Sequence, residues 1–139
     1  MKELISQIKR NYRTYKNSII KEVESYNYNK MRYNVNYSIA LCASTKNADY
    51  EYIKQFVRES DKIIFLSKNI FCVVFGFVNH SEGVKASQNI RLKVEPKYFT
   101  KTLYVVDVNS DEVSDVNEHS RKLLDFMLER LEEELNEAL

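Results

Sequence analysis

The sequence predicts a single α+β domain, on the evidence of its length, its composition and the order of its apolar runs. The chain has 139 residues, which is room for one hydrophobic core and hardly for two. Its residues are 44% hydrophobic and 29% charged, as in ordinary globular proteins. Apolar positions repeat with helical spacing near both ends and with strand-like density between them, which favours a sheet flanked by helices.

The N-terminal segment is predicted to be one long amphipathic helix over residues 2–28. Its apolar and aromatic positions lie three or four residues apart and form one stripe: Ile8, Tyr12, Tyr15, Ile19, Val23 and Tyr26. A polar stretch over residues 27–36 then leads to a first strand, Tyr37–Ala43. A short helix capped by Asn47 is expected to follow.

Two strands, Lys62–Leu66 and Ile70–Val78, are close enough in sequence to predict an antiparallel hairpin, with Asn69 able to take a positive φ. Ser81 is expected to cap a third helix that runs to about Val94 and stops before Pro96.

A fourth strand is predicted over residues 101–108 and a closing helix over 111–138. The closing helix carries a heptad seam: Leu124, Leu128, Leu131, Leu135 and Ala138. The inner order β-α-β-β-α-β is the ferredoxin-like arrangement, an antiparallel sheet with helices on one face and here with extra N- and C-terminal helices. Periodicity also predicts a core: Ile39, Leu41, Ile53, Val57, Ile63, Phe71, Val73, Ile90 and Val105.

The two ends of the chain carry opposite charge. Residues 1–36 hold five more basic than acidic residues, and residues 110–139 hold seven more acidic than basic ones. This complementarity predicts that the terminal helices pair, within one chain or between two, while two solvated helix faces are the plainer interpretation. The net charge of +1 gives no general attraction to nucleic acid or membrane, and neither is expected as a partner.

The residues that could carry chemistry are few. Cys42 and Cys72 lie in apolar runs and are expected to be core residues of a reducing compartment, with the cytoplasm as the default. His80 and His119 are far apart and are expected at the surface, near helix starts. Neither histidine has a Cys or a paired carboxylate at metal-ligand spacing, and two glycines cannot form a glycine-rich phosphate loop, so no cofactor, metal site or enzymatic activity is predicted.

One pair of segments carries a family resemblance. Arg58-Glu59-Ser60-Asp61 is followed, after five residues, by Ser67-Lys68-Asn69-Ile70-Phe71. This resembles the GGDEF domain, the nucleotidyl-cyclase palm that condenses GTP into cyclic di-GMP, in which Arg-x-x-Asp ends a helix and the signature forms the next hairpin. The resemblance implies an N-terminal connector helix over residues 1–33 and one palm domain over 34–139.

Several positions depart from the family pattern. Ser67 and Lys68 stand for the two glycines, Asn69 and Ile70 stand for the acids, and only Phe71 is retained. The first strand lacks the family's metal-binding aspartate, and the substrate-holding segment after it is shortened. Two-metal phosphoryl transfer needs such carboxylates, so the expectation is a catalytically inactive signalling domain for protein–protein interaction, homodimeric through its terminal helices.

Arg58 and Asp61 leave a second interpretation open. In the family the pair resembles an inhibitory site for cyclic di-GMP, which implies a receptor for that or another small nucleotide. The plainer interpretation is an ion pair between residues i and i+3 at a helix end. A third interpretation is an unrelated ferredoxin-like module with a coincidental likeness.

Overall fold

A computed structural model describes residues 1–94 and 103–138 of the chain. The strands are β1 (Tyr37–Ser44), β2 (Lys62–Phe65), β3 (Ile70–Gly76) and β4 (Leu103–Asn109). The α-helices are α1 (Lys2–Arg10), α2 (Tyr12–Glu22), α3 (Glu24–Tyr33), α4 (Tyr50–Ile53), α5 (His80–Val94) and α6 (Val116–Ala138). Short 3₁₀ helices cover Lys54–Phe56 and Ser110–Glu112. Within the described ranges, no helix is long and apolar enough to cross a membrane.

The four strands form one antiparallel sheet in the order β2-β3-β1-β4, which confirms the predicted α+β fold. Leu41, in the middle of β1, pairs with Cys72 of β3 on one side and with Val106 of β4 on the other. Because side chains alternate along a strand, β1 contributes to two cores. Ala40 and Cys42 face the core under α4 and α5, while Ile39 and Leu41 face the core under α1, α2 and α6.

The N-terminal segment differs from the predicted single helix. It is helical as far as Tyr33, with breaks at Asn11 and Val23, whose ψ angles are 16° and 11°. Asn34 ends α3 in the left-handed conformation, at φ 54°. The polar side chains that suggested a connector after residue 27 do not interrupt the helical backbone.

The stripe on α1 and α2 is buried against the same chain's α6. Ile8, Tyr15 and Ile19 belong to one cluster with Leu124 and Met127. Tyr12 Oη donates to Asp125 at 2.7 Å and Lys9 pairs with Glu132 at 3.3 Å, so the oppositely charged ends meet within the chain. The division at residue 33 and the homodimer stay predictions.

Two predicted helix caps were misplaced by two residues. Asp49, not Asn47, accepts from the backbone N–H of Tyr52, at 3.3 Å. Asn79, not Ser81, caps α5: Asn79 and Glu82 exchange backbone-to-side-chain hydrogen bonds of 2.9 and 3.0 Å, a capping box.

The closing helix begins at Val116 rather than residue 111, because a capping box between Asn109 and Glu112 forms a separate 3₁₀ turn. Pro96 and the first two residues of the predicted fourth strand lie outside the described residues.

The predicted core is confirmed at six positions: Ile39, Leu41, Ile53, Phe71, Val73 and Ile90. Val57, Ile63 and Val105 are partly buried and pack against the cluster under α4 and α5. Both cysteines are buried and free, as expected. The heptad seam is only partly right, since Leu124 and Leu131 are buried while Ala138 is exposed.

His119 contradicts its predicted surface position, whereas His80 is exposed at the first turn of α5. The His119 ring is fully buried and lies 5.3 Å from the ring of Tyr37. Its Nε2 is 2.8 Å from the Val108 carbonyl oxygen, and because a carbonyl only accepts, Nε2 carries the hydrogen. Burial lowers the pKa of His119. His119 lies four residues before Leu123 on α6, and both are fully buried on the helix face that meets the core.

Phe71→Ala should destabilise the domain by about 3–5 kcal/mol, because it removes a fully buried ring next to β1. Phe77→Ala is the matched control, since Phe77 is 67% exposed, and it should cost less than about 1 kcal/mol. Urea unfolding of both variants measures the difference. Equal effects would contradict the strand register.

Stability should fall as the pH drops from about 7 to 5. Near the ordinary pKa of 6.5, His119 gains a proton in the unfolded chain but stays neutral in the fold, so acid favours unfolding. His119→Gln should flatten this slope. His80→Gln is the control of opposite sign, because Glu112 raises the pKa of His80 and its contribution is lost as the pH rises. Identical slopes for wild type and His119→Gln would refute the assignment.

Candidate functional site

Arg58 and Asp61 lie on a turn between the 3₁₀ helix and β2. Val57 adopts an extended conformation and ends the helix, and the Asp61 N–H then donates to the Arg58 carbonyl at 3.0 Å. The Asp61 carboxylate accepts from the Arg58 backbone N–H at 2.8 Å, from Nε at 3.2 Å and from Nη2 at 2.9 Å. The guanidinium therefore meets the carboxylate through two nitrogens, a bidentate arrangement.

The same pair is fastened to the end of β3 at Gly76. Arg58 Nη2 donates to the Gly76 carbonyl at 2.8 Å, and the Gly76 N–H approaches Asp61 Oδ1 at 3.4 Å. A side chain at position 76 would lie 2.9 Å from the Ser60 carbonyl, so the close approach requires glycine. Tyr26 of α3 donates to that Ser60 carbonyl at 2.9 Å, which also ties the turn to the N-terminal helices.

The two members of the pair differ in exposure. The Asp61 side chain is 2% exposed, whereas the Arg58 side chain is 55% exposed. The carboxylate oxygens of Asp61 accept from Arg58 and from the Gly76 N–H. The hydrogen bond that Arg58 donates to the Asp61 carboxylate raises the pKa of Arg58, which therefore stays cationic. Asp61 is a structural anchor in this geometry, and Arg58 still presents part of its guanidinium to solvent.

A groove of about 430 Å³ runs beside this turn and is lined by Lys54, Arg58 and Lys62 together with Tyr50. The Lys54 ammonium lies 5.8 Å from the centre of the Tyr50 ring. Lys62 is engaged with Glu22, its Nζ being 2.8 Å from the carboxylate. The groove therefore combines the cation of Lys54, an aromatic ring, and the cations of Arg58 and Lys62, which are paired with Asp61 and Glu22. The exposed Glu59 also lines it.

The hairpin over residues 67–71 is closed by side chains rather than by a positive φ. The described non-glycine residues with positive φ are Asn34 and Phe77, which corrects the expectation for Asn69. Ser67 Oγ donates to Asn69 Oδ1 at 2.9 Å, and Asn69 Nδ2 donates to the Ser44 carbonyl at 3.0 Å. These bonds fix the loop against the end of β1.

The remaining positions of the hairpin point in different directions. Ile70 and Phe71 are fully buried, and Lys68 is exposed. Among the residues that the structure describes, no three His, Cys, Asp or Glu side chains are placed to hold a metal ion.

No protein-family model and no curated protein matches the sequence. Solved structures do match. A DGC protein from Thermotoga maritima is 15% identical, with a TM-score of 0.62 over 78% of this chain and 90% of its own. The GGDEF domain of TpbB (YfiN) from Pseudomonas aeruginosa is 12% identical, with a TM-score of 0.62 over 80% and 81% of the two chains.

A third match is the diguanylate cyclase SiaD of Pseudomonas aeruginosa, solved in complex with its activator SiaC. It is 11% identical, with a TM-score of 0.64 over 83% of this chain and 53% of SiaD. The chain thus has the fold of the GGDEF diguanylate cyclase domain, as its sequence resemblance implied.

The prediction that the chain is not an enzyme is contradicted by these comparisons. The solved domains that share its fold include a DGC protein and a diguanylate cyclase. The prediction rested on side chains at the hairpin and in β1 and on the shortened segment after β1. These departures do not remove the chain from a fold whose solved examples include enzymes.

Sequence reasoning missed Lys54, Lys62 and Tyr50 as neighbours of Arg58. Lys54 and Arg58 lie four residues apart in a segment predicted to be helical, a spacing that places two side chains on one face. That signal was available. The approach of Gly76 to Arg58 and Asp61 could not be predicted from the sequence, because it depends on the pairing of β2 with β3.

Asp61→Asn should destabilise the fold by about 2–3 kcal/mol, because it removes a buried charged acceptor that binds Arg58 and the turn. Glu59→Gln is the matched control: its side chain is exposed, and stability should change by less than about 0.5 kcal/mol. Urea unfolding midpoints of the wild type and the two variants measure these changes in stability. If Asp61→Asn behaves like the control, the pair does not anchor the turn.

Proposed function

We propose that the chain is a regulatory domain with the GGDEF fold that binds a cyclic dinucleotide of the cyclic di-GMP type in the groove beside Arg58. The observation that carries this proposal is the convergence of Lys54, Arg58 and Lys62 on one concave surface. The two phosphates of a cyclic dinucleotide need cationic partners, and the planar guanidinium of Arg58 suits a phosphate or a guanine edge.

The mode of binding differs from the one that the Arg-x-x-Asp resemblance implied. Asp61 is buried and its oxygens accept from Arg58 and the backbone, so it orients the arginine instead of contacting a base. Holding the guanidinium in place before binding lowers the entropy lost on association. Tyr50 supplies an exposed ring on which a base can stack.

A role in protein association is the second candidate. Apolar side chains of α3 are exposed, and the fold neighbour SiaD is solved in complex with an activator protein. The homodimer expected from the sequence belongs to this candidate. The homodimer loses one of the observations that favoured it, because the apolar stripe on α1 and α2 is already covered by α6 of the same chain.

Titration of the protein with cyclic di-GMP, followed by calorimetry, should give saturable binding. Lys54→Ala should weaken it several-fold, and Arg58→Ala by about ten- to a hundredfold through the loss of charge-assisted hydrogen bonds. Lys54→Ala leaves the Asp61 network intact and therefore separates binding from folding. Arg13→Ala, an exposed arginine of α2, is the control and should bind as wild type.

Binding that is absent at about millimolar ligand, or that is unchanged in both groove variants, would refute the receptor. The same preparation is incubated with GTP and Mg²⁺, because solved domains of this fold are cyclases. Product formation that depends on residues 67–71 would assign the hairpin a catalytic role.

A further inference from the structure

A second cavity, of about 250 Å³, lies between α3 and the end of β3. Among the described residues, it shares only Glu59 with the groove beside Arg58. Three aromatic residues line it: Tyr26 of α3, Tyr37 of β1 and Phe77, which follows β3. The cavity is smaller than the pockets that hold drug-sized ligands, so its dimensions suit a compact chemical group.

The two tyrosine rings are held in place by the fold. Tyr26 and Tyr37 pack on one another, with their ring centres 5.8 Å apart. Gly76 leaves room for this pair, since a Cβ atom at that position would lie 3.2 Å from Tyr26 Cε1. The Tyr26 hydroxyl donates to the Ser60 carbonyl at 2.9 Å, which fixes the ring against the turn before β2. One wall of the cavity is therefore aromatic and fixed before any ligand arrives.

Phe77 adds the third ring at a conformational cost. Its φ is 59°, in the left-handed region that a bulky side chain seldom adopts. The ring is 67% exposed, so burial in the core does not compensate for the strain of the backbone. Backbone strain of this kind is concentrated at ligand-binding and other functional positions. The conformation of Phe77 therefore indicates that its ring serves the cavity that it lines.

The charge that lines this cavity is negative. Glu59 contributes an exposed carboxylate, and no Lys, Arg or His side chain is among the described residues of the lining. Arg58 reaches the Gly76 carbonyl from the adjoining turn, but its charge is paired with the Asp61 carboxylate at 2.9 Å. The faces of aromatic rings carry negative potential, so the rings and the carboxylate both attract a cation.

We propose that this cavity binds a small organic ammonium group, such as the trimethylammonium group of choline, between its aromatic rings and Glu59. Mg²⁺ or Ca²⁺ fits less well, because these ions need several oxygen ligands and Glu59 is the one acid among the described lining residues. An anion is repelled by the same carboxylate. The proposal does not rest on the binding of a cyclic dinucleotide, since that ligand carries the opposite charge and occupies the groove with Lys54.

Titration of the full chain with choline chloride, followed by NMR of the aromatic ring protons, tests this proposal. Wild type should give saturable shifts with a dissociation constant on the order of 1 mM, as expected of a partly exposed cation–π site. The uncharged alcohol in which carbon replaces the nitrogen of choline should bind roughly tenfold more weakly, because it has the same shape without the charge.

Two variants that should keep the fold remove one contact each. Glu59→Gln removes the carboxylate and should weaken choline binding about three- to fivefold. Phe77→Ala removes one ring and should weaken it about three- to tenfold. Glu24→Gln and Tyr28→Ala are the matched controls, since they change an exposed acid and an exposed ring of α3 that do not line the cavity, and they should bind as wild type.

Three results would overturn the proposal: no ring shifts up to about 50 mM choline, equal affinity for choline and its uncharged isostere, or equal binding by wild type, Glu59→Gln and Phe77→Ala. Lys54→Ala should leave choline binding unchanged while it weakens the binding of cyclic di-GMP, so the two proposals succeed or fail separately. Circular dichroism of each variant shows whether the fold is retained.

Discussion

The fold depends on one constraint: β1 is buried along its whole length and on both faces. Every residue from Tyr37 to Ser44 is buried, and the strand pairs with β3 on one side and β4 on the other. A central strand of this kind needs apolar cover above and below the sheet. The helices α4 and α5 cover one face, and α1, α2 and α6 cover the other. The helices α1 and α2 are thus part of the core, because Ile8 and Ile19 belong to the same buried cluster as Ile39 and Leu41.

The groove beside Arg58 follows from the same packing. β2 pairs with β3 through four residues only, and the chain enters it from a turn held by the buried Asp61 carboxylate. Desolvating a carboxylate is costly unless its acceptors are used, and here Arg58, the turn backbone and Gly76 use them. These hydrogen bonds offset the cost of burying Asp61, and they hold the half-exposed Arg58 at the edge of the sheet.

Much of the fold could be read from the sequence, and the failures have physical causes. Strand alternation placed Phe71 and Val73 on one face, because burial of a sheet face imposes a period of two. The caps Asp49 and Asn79 were missed since several Asn, Asp and Ser residues adjoin each helix start, and only the backbone decides which one bonds. His119 was placed outside as a residue near a helix start, whereas it lies on the buried face of α6 with Leu123 and Met127, at intervals of four residues.

The site was harder to predict than the fold, for a related reason. A local pair such as Arg58 and Asp61 is visible in sequence, but its meaning depends on Gly76, which is distant in sequence and close in space. Once the glycine brings the backbone of β3 against the turn, the aspartate is enclosed and the arginine is left at the rim. The same two residues on an isolated helix end would both face water. The close approach of Gly76 to the turn, and not the Arg-x-x-Asp spacing, therefore makes Asp61 a buried anchor and leaves Arg58 an exposed cation.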